Sequence, residues 1–292
     1  MSVSAADTIE IRPVAAGFGA EICGVNLADG VTDKTIAAIR DTLARFGVIF
    51  FHKQSLSPQQ HLAFAERFGK INVNRFFRPV EGHPQIAEVR KEPEQKINIG
   101  GGWHTDHSYD EVPAMSSVLY ALEVPSCGGD TLFANMALAY ESLSDGLKKT
   151  LDGLNAVHSG RHVFGTRAVT QAKDNKDDIG GRIANPDAVI EDVVHPVVIR
   201  HPESGRSTLY VNPGFTLRFE GWSPAESAPL LRFLYKHATL PERTIRFHWG
   251  EGSVAFWDNR ATWHYALNDY PGEGRLLHRI TIEGVPLHSA AA

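Results

Sequence analysis

His104 and Asp106 stand two positions apart in the stretch GGGWHTDHSYD, residues 100 to 110. An imidazole nitrogen and a carboxylate oxygen both bind divalent transition metals, and side chains two apart in an extended segment share one face. If residues 103–107 run extended, both ligand atoms sit beside one point in space and His107 faces away from it. Taken alone, such a pair is as compatible with a polar turn as with a site. A 2-His-1-carboxylate triad needs one more histidine, and it leaves adjacent coordination positions open, the geometry that suits non-haem Fe(II) working with dioxygen.

The best candidate for the missing ligand is His264, which follows a strand-like run and precedes a turn built on Pro271, Gly272, Glu273 and Gly274. Beyond that turn Arg275, Leu277 and Arg279 alternate on one face of the next strand, with Leu276 and His278 on the other. A guanidinium fork holds a carboxylate bidentately, as a lysine point charge does not. One metal ligand and two anion receptors would then face a common cavity.

Positioning these groups requires a sizeable folded core, and 292 residues with 42% hydrophobic and 22% charged side chains supply one. The net charge of -5 offers no basic stripe for a phosphate backbone, so nucleic acid is excluded as a partner. Cys23 and Cys127 are far apart and form no Cys-x-x-Cys, against both a disulfide framework and a thiolate zinc site. The opening MSVSAADTIE lacks the regions of a secretory signal, and no apolar run approaches bilayer length. The expectation is a cytoplasmic protein that does not engage a membrane.

Three amphipathic helices are predicted. VTDKTIAAIRDTLARFG places Ile36, Ile39, Leu43 and Phe46 at helical spacing and closes on Gly47; Ser57-Pro58 with Gln60, and Ser223-Pro224 with Glu226, are capping boxes opening the other two. Strands are predicted in VIFFHKQ, SSVLYALEVP, GDTLFANM, HPVVIRHPESGRSTLYVN, TIRFHWGEGSVAFWDN and LLHRITIEGV. Two of these read as hairpins, turning at Pro202–Gly205 and at Gly250–Gly252. Many strands with few helices give a mainly β fold, a sandwich or jelly roll flanked by helices, as a single domain over 1–292. The Gly- and Asp-rich segment 162–194 lacks either period and reads as a lid-like insertion.

The chain resembles the taurine dioxygenase/2,4-dichlorophenoxyacetate dioxygenase family of Fe(II)- and 2-oxoglutarate-dependent oxygenases. The likeness rests on GVIFFHKQSLSPQQHLAFAERFGKI, WHTDHSYDEVPA, EVPSCGGDTLFANM, HPVVIRHPESGRSTLYVNPGFT and WDNRATWHYALNDY, with Thr131 27 residues after His104 and Arg275 11 after His264. The resemblance implies a double-stranded β-helix core of jelly-roll, cupin-like type. It implies His104, Asp106 and His264 as iron ligands, and Thr131 and Arg275 as receptors for the distal carboxylate of 2-oxoglutarate. The implied reaction consumes O2 and 2-oxoglutarate, releases succinate and CO2, and hydroxylates a small anionic substrate. Where the hydroxylated carbon bears a heteroatom, cleavage follows, as with alkylsulfonates, alkyl sulfates and aryloxyalkanoates. Homo-oligomers, dimers or tetramers, are common among such enzymes.

By the same resemblance Arg279 meets the substrate's acidic group, with Phe164 and Phe215 lining the pocket. Asn74, Phe77 and Gly100 stand where taurine-cleaving members carry a histidine, a tyrosine and an asparagine, which argues against taurine and toward a larger, less polar acid. Other readings stay open. Hydroxylation of another acid or of a natural-product intermediate without cleavage is one, and a zinc hydrolase on the same triad or a catalytically silent binding protein are others. Arg279 can equally pair with a buried carboxylate such as Asp258, and Phe164 and Phe215 can be core aromatics. His107, His158, His162, His195, His201, His248 and His278 read as surface or hydrogen-bonded histidines, Trp257 and Trp263 as packing, and Asp258-Asn259 as a structural turn.

Overall fold

The computed structural model describes residues 9–165 and 191–291. A large, nearly all antiparallel sheet runs in the order Glu10–Ala15, Phe18–Cys23, Val48–Phe51, Val254–Asp258, Ser116–Glu123, Arg275–Ile282, His83–Lys91, Pro79–Val80, with Ile71–Asn72 also paired to Arg275–Ile282. Facing it is a smaller sheet in which Thr131–Asn135 lies between Thr244–Phe247 and Thr262–Ala266. Together they form the jelly-roll core expected from the sequence.

The four residues Val48–Phe51 show why both faces of the large sheet must be covered, since all four are buried. Val48 and Phe50 point inward, where Phe50 stacks on Phe247 of the small sheet at 4.1 Å and meets Phe133 edge-on at 5.7 Å. Ile49 and Phe51 point outward into a second core made by Ile36, Ile39, Leu43 and Phe46 of the helix Asp33–Phe46 and by Phe64 of the helix Pro58–Glu66. Period-2 alternation in the strand thus meets period-3.6 alternation in the helices. The outer face of the small sheet is covered by Leu231 and Leu234 of the helix Pro224–Ala238, packed with Ala134 and Trp263. Both predicted capping boxes form, Ser57 with Gln60 and Ser223 with Glu226.

The Pro202–Gly205 turn does join a hairpin, Val198–Arg200 with Ser207–Leu209, and Gly205 adopts φ +69° there. The Gly250–Gly252 turn does not. Thr244–Phe247 pairs in the small sheet while Val254–Asp258 pairs in the large one, so this connection crosses between sheets. Alternation marks which side of a strand is buried but not which strand it pairs with, and turn residues serve both connections. Within the segment 162–194, residues 166–190 lie outside the described residues; the flanks are the short helix Arg161–Phe164 and the strand Val193–Pro196. Among the described residues no helix is long and apolar enough to cross a membrane.

Candidate active site

His104 is placed by backbone pairing. It forms an isolated antiparallel bridge with His264, each amide donating to the other's carbonyl at 3.1 and 2.8 Å. Residues directly opposite in such a pair present side chains to the same side, which brings the two rings to 4.1 Å between centroids. The chain is extended only at His104 and turns at once, so Asp106 arrives by a different route from the expected strand. Thr105 Oγ1 donates to the Asn259 carbonyl at 2.5 Å, and the Asp110 amide closes the turn on the His107 carbonyl at 3.0 Å. His107 sits inside that turn at φ +60°, donating from Nδ1 to Asp110 at 2.8 Å, so the turn rather than strand alternation takes it off the cavity wall.

Ligand atoms of His104, Asp106 and His264 all lie within 4.8 Å of one another. His104 Nδ1 donates to the Gly102 carbonyl at 2.7 Å, which fixes the tautomer that presents a lone pair on Nε2, 3.8 Å from Asp106 Oδ1. Burial holds both imidazoles below their ordinary range, His264 furthest because His104 adds to the effect, so both are neutral donors near pH 7. Burial pushes the Asp106 carboxyl up, but Arg279, His264 and His104 together outweigh it and hold the group ionised. Ser117 Oγ donates to Asp106 Oδ2 at 2.9 Å, and Arg279 Nη1 lies 3.1 Å from Oδ1. Two neutral imidazoles and a carboxylate suit a divalent transition metal.

Between the two sheets lies a cavity of about 690 Å³ reaching these ligands, Thr131, Arg275 and Arg279. Arg275 is 5% exposed, and its Nε and Nη2 are buried with no hydrogen-bond partner among the described residues. Burial lowers it to about 10, with Tyr270 and Asp130 working the other way, so it remains a cation at neutral pH. A desolvated guanidinium with unpaired donors is a receptor for an anion, and a dicarboxylate fits it. Thr131 begins the central strand of the small sheet with its hydroxyl 2.9 Å from Trp249 Nε1.

Phe77, Gly100, Phe164, Phe215 and Arg279 all line the cavity. Arg279 does pair with a carboxylate, but the partner is Asp106; Asp258 is taken by Arg260 and His201 in a buried network. The Arg279 guanidinium lies 4.6 Å from the Phe77 ring centroid, and its Nε is buried without a hydrogen-bond partner among the described residues. Asn74 is not on the cavity wall. Its Oδ1 accepts from the Phe76 and Phe77 amides at 2.9 and 3.0 Å, so it shapes the turn that presents Phe77. Gly100 needs its φ of +81°, and a Cβ there would lie 3.4 Å from His104 Cε1. Trp263 packs in the helix-side core, whereas Trp257 lines the cavity 4.7 Å from the His264 ring.

Sequence reasoning missed Ser117, Trp249 and Tyr109. Each carried a signal: Ser117 alternates with the inward Leu119 and Ala121, and Trp249 with the inward Ile245 and Phe247. Tyr109, on the cavity wall, lies in the same turn as Asp106.

A His-Asp-His group that could hold a metal ion inside a jelly roll, with two buried arginines on the same cavity, has the arrangement of non-haem, metal-dependent oxygenases. Residues 10–281 match the model of the family described as Taurine catabolism dioxygenase TauD, TfdA family. The chain is 36% identical over 282 residues to an alpha-ketoglutarate-dependent sulfate ester dioxygenase of Pseudomonas putida, covering 94% of this chain and 90% of that protein. It is 34% identical over 277 residues to an alkylsulfatase of Acinetobacter baylyi, covering 94% and 85%. A crystal structure of a taurine dioxygenase from Burkholderia xenovorans matches with TM-score 0.78 and 38% identity, over 96% of this chain and 91% of that one. This chain belongs to the TauD/TfdA family and is a 2-oxoglutarate-dependent non-haem dioxygenase.

Proposed function

We propose that this enzyme uses Fe(II), O2 and 2-oxoglutarate to hydroxylate alkyl sulfate esters at the carbon bearing the sulfate oxygen. His104, Asp106 and His264 hold the metal, Thr131 and Arg275 hold the distal carboxylate of 2-oxoglutarate, and Arg279 receives the substrate's anionic head. The bound metal and co-substrate supply oxidative decarboxylation coupled to C–H hydroxylation. The hydroxylated carbon then expels sulfate and leaves an aldehyde.

The observation that carries this reading is the pair of buried guanidiniums in one cavity whose donors Arg275 Nε and Nη2 and Arg279 Nε have no hydrogen-bond partner among the described residues. A zinc hydrolase acting on the same triad has no use for both. Sulfate esters are favoured by the relatives that cleave them and by the walls: Phe77, Phe164 and Phe215 offer an alkyl chain apolar contact and keep water from the reacting carbon. Taurine would set its ammonium against Phe77 and Gly100, neither of which carries a side-chain acceptor.

The test is succinate release from 2-oxoglutarate with Fe(II) in air, against alkyl sulfates, alkylsulfonates, taurine and both enantiomers of aryloxypropionates. The expected result is stimulation by medium-chain alkyl sulfates with equimolar sulfate. Succinate coupled to a different acid would overturn the sulfate assignment, and a protein that neither releases succinate nor develops the visible band of its Fe(II) and 2-oxoglutarate complex would overturn the oxygenase.

A further inference from the structure

We propose that Trp249 is a positioning residue for the co-substrate: it orients both receptors of the distal carboxylate, Thr131 and Arg275, without touching the ligand itself. The inference rests on the cavity's being the 2-oxoglutarate site, as proposed above. Trp249 follows the strand Thr244–Phe247, whose last residue is in register with Thr131, and it is held edge-on against Phe247 at 4.9 Å. From there its indole Nε1 donates to Thr131 Oγ1 at 2.9 Å, and its ring lies 5.5 Å from the Arg275 guanidinium carbon. It is not among the cavity-lining residues.

The chemistry follows from what indole can and cannot do. Its N–H only donates, so Thr131 Oγ1 must accept, and the hydroxyl proton is left free for a second acceptor. With one lone pair engaged by the indole, the hydroxyl keeps its proton to donate to an incoming carboxylate. The indole face meanwhile steadies the Arg275 cation without satisfying its N–H donors, because a π face attracts the charge but does not consume the fork. Among the described residues Arg275 Nε and Nη2 have no hydrogen-bond partner. One side chain thereby prepares a hydroxyl donor and a guanidinium donor for the same anion.

The experiment is anaerobic titration of the Fe(II)-loaded protein, comparing wild type, Trp249→Phe, Thr131→Val and the double variant. Ligands are 2-oxoglutarate and pyruvate, which keeps the 2-keto acid but lacks the distal carboxylate. Trp249→Phe keeps an aromatic face and removes the donor, so 2-oxoglutarate affinity should fall about tenfold while pyruvate affinity is unchanged. In the Thr131→Val background the same substitution should cost less than twofold, since the group it acts through is gone. Equal 2-oxoglutarate affinity in wild type and Trp249→Phe overturns the proposal, as does an equal loss for pyruvate or a full tenfold loss in the Thr131→Val background. Wild-type protein that binds neither keto acid overturns the co-substrate assignment itself.

Discussion

Ser117 and Arg275 separate two kinds of work at the level of single side chains. Ser117 bonds one oxygen of Asp106 and itself accepts from Asn259 Nδ2 at 3.3 Å, whose Oδ1 is held by Trp257 Nε1 at 2.8 Å. This chain fixes the plane of a ligating carboxylate, and outer partners of metal ligands contribute about 10- to 100-fold in metal affinity. Ser117→Ala is therefore expected to weaken Fe(II) binding about tenfold while leaving the KM for 2-oxoglutarate at saturating metal unchanged; metal titration followed by activity checks both. Arg275→Ala removes a receptor instead. The apparent KM for 2-oxoglutarate should rise about 100-fold, as expected for losing a desolvated charge-assisted fork, with a small effect on the substrate's KM. Equal effects on both KM values would show that Arg275 serves the fold rather than the co-substrate.

The elements that carry these residues were legible where periodicity decides and illegible where pairing does. The helix Asp33–Phe46 ends where its sequence says, at Gly47, whose amide donates to the Leu43 carbonyl at 2.7 Å with φ +74°. The same glycine then seats the far end of the sandwich: its carbonyl accepts from Thr262 Oγ1 at 3.0 Å and from the Asp258 amide at 2.9 Å. A Cβ at position 47 would fall 2.9 Å from Thr262 Oγ1. Gly47→Ala should destabilise the protein by about 2 kcal/mol through its left-handed backbone alone, with the contact adding to that, and denaturant unfolding measures the sum. By contrast the Gly250–Gly252 crossing left no readable trace because its two strands are set by partners distant in sequence, and the turn at residues 106–109 because Thr105 is anchored to Asn259; the hairpin of Glu10–Ala15 with Phe18–Cys23 is local, but its first strand is exposed throughout and carries no alternation to read. The proximity of the three candidate ligands does not depend on that strand reading. His104 and Asp106 converge on His264 through a backbone bridge and a turn rather than through alternation along a strand.

Away from the cavity, three buried histidines and a buried carboxylate are shifted in one direction. His61, His158 and His195 are held below their ordinary range by burial, His61 down to about 3 with His278 assisting, and Asp258 is held ionised far below a normal carboxylate despite burial, chiefly by Arg260 and His201. In the unfolded chain these histidines take up protons near pH 6.5 and the folded protein does not, so stability rises with pH through that region and is lost as pH falls below it. Depressed carboxylates contribute in the same direction but only nearer pH 4. His61 isolates the histidine part, being 1% exposed between the helix Pro58–Glu66 and the large sheet and well away from the metal ligands in sequence. Its share of the loss amounts to about 1.4 kcal/mol per pH unit between roughly 6 and 4. His61→Leu, a change of similar volume, should leave stability at pH 8 near wild type and flatten its decline between pH 6.5 and 4.5 by about 2 kcal/mol. Urea unfolding at those pH values decides it: parallel declines in variant and wild type would mean that His61 already takes up a proton in the folded state, through a rearrangement that opens the helix from the sheet.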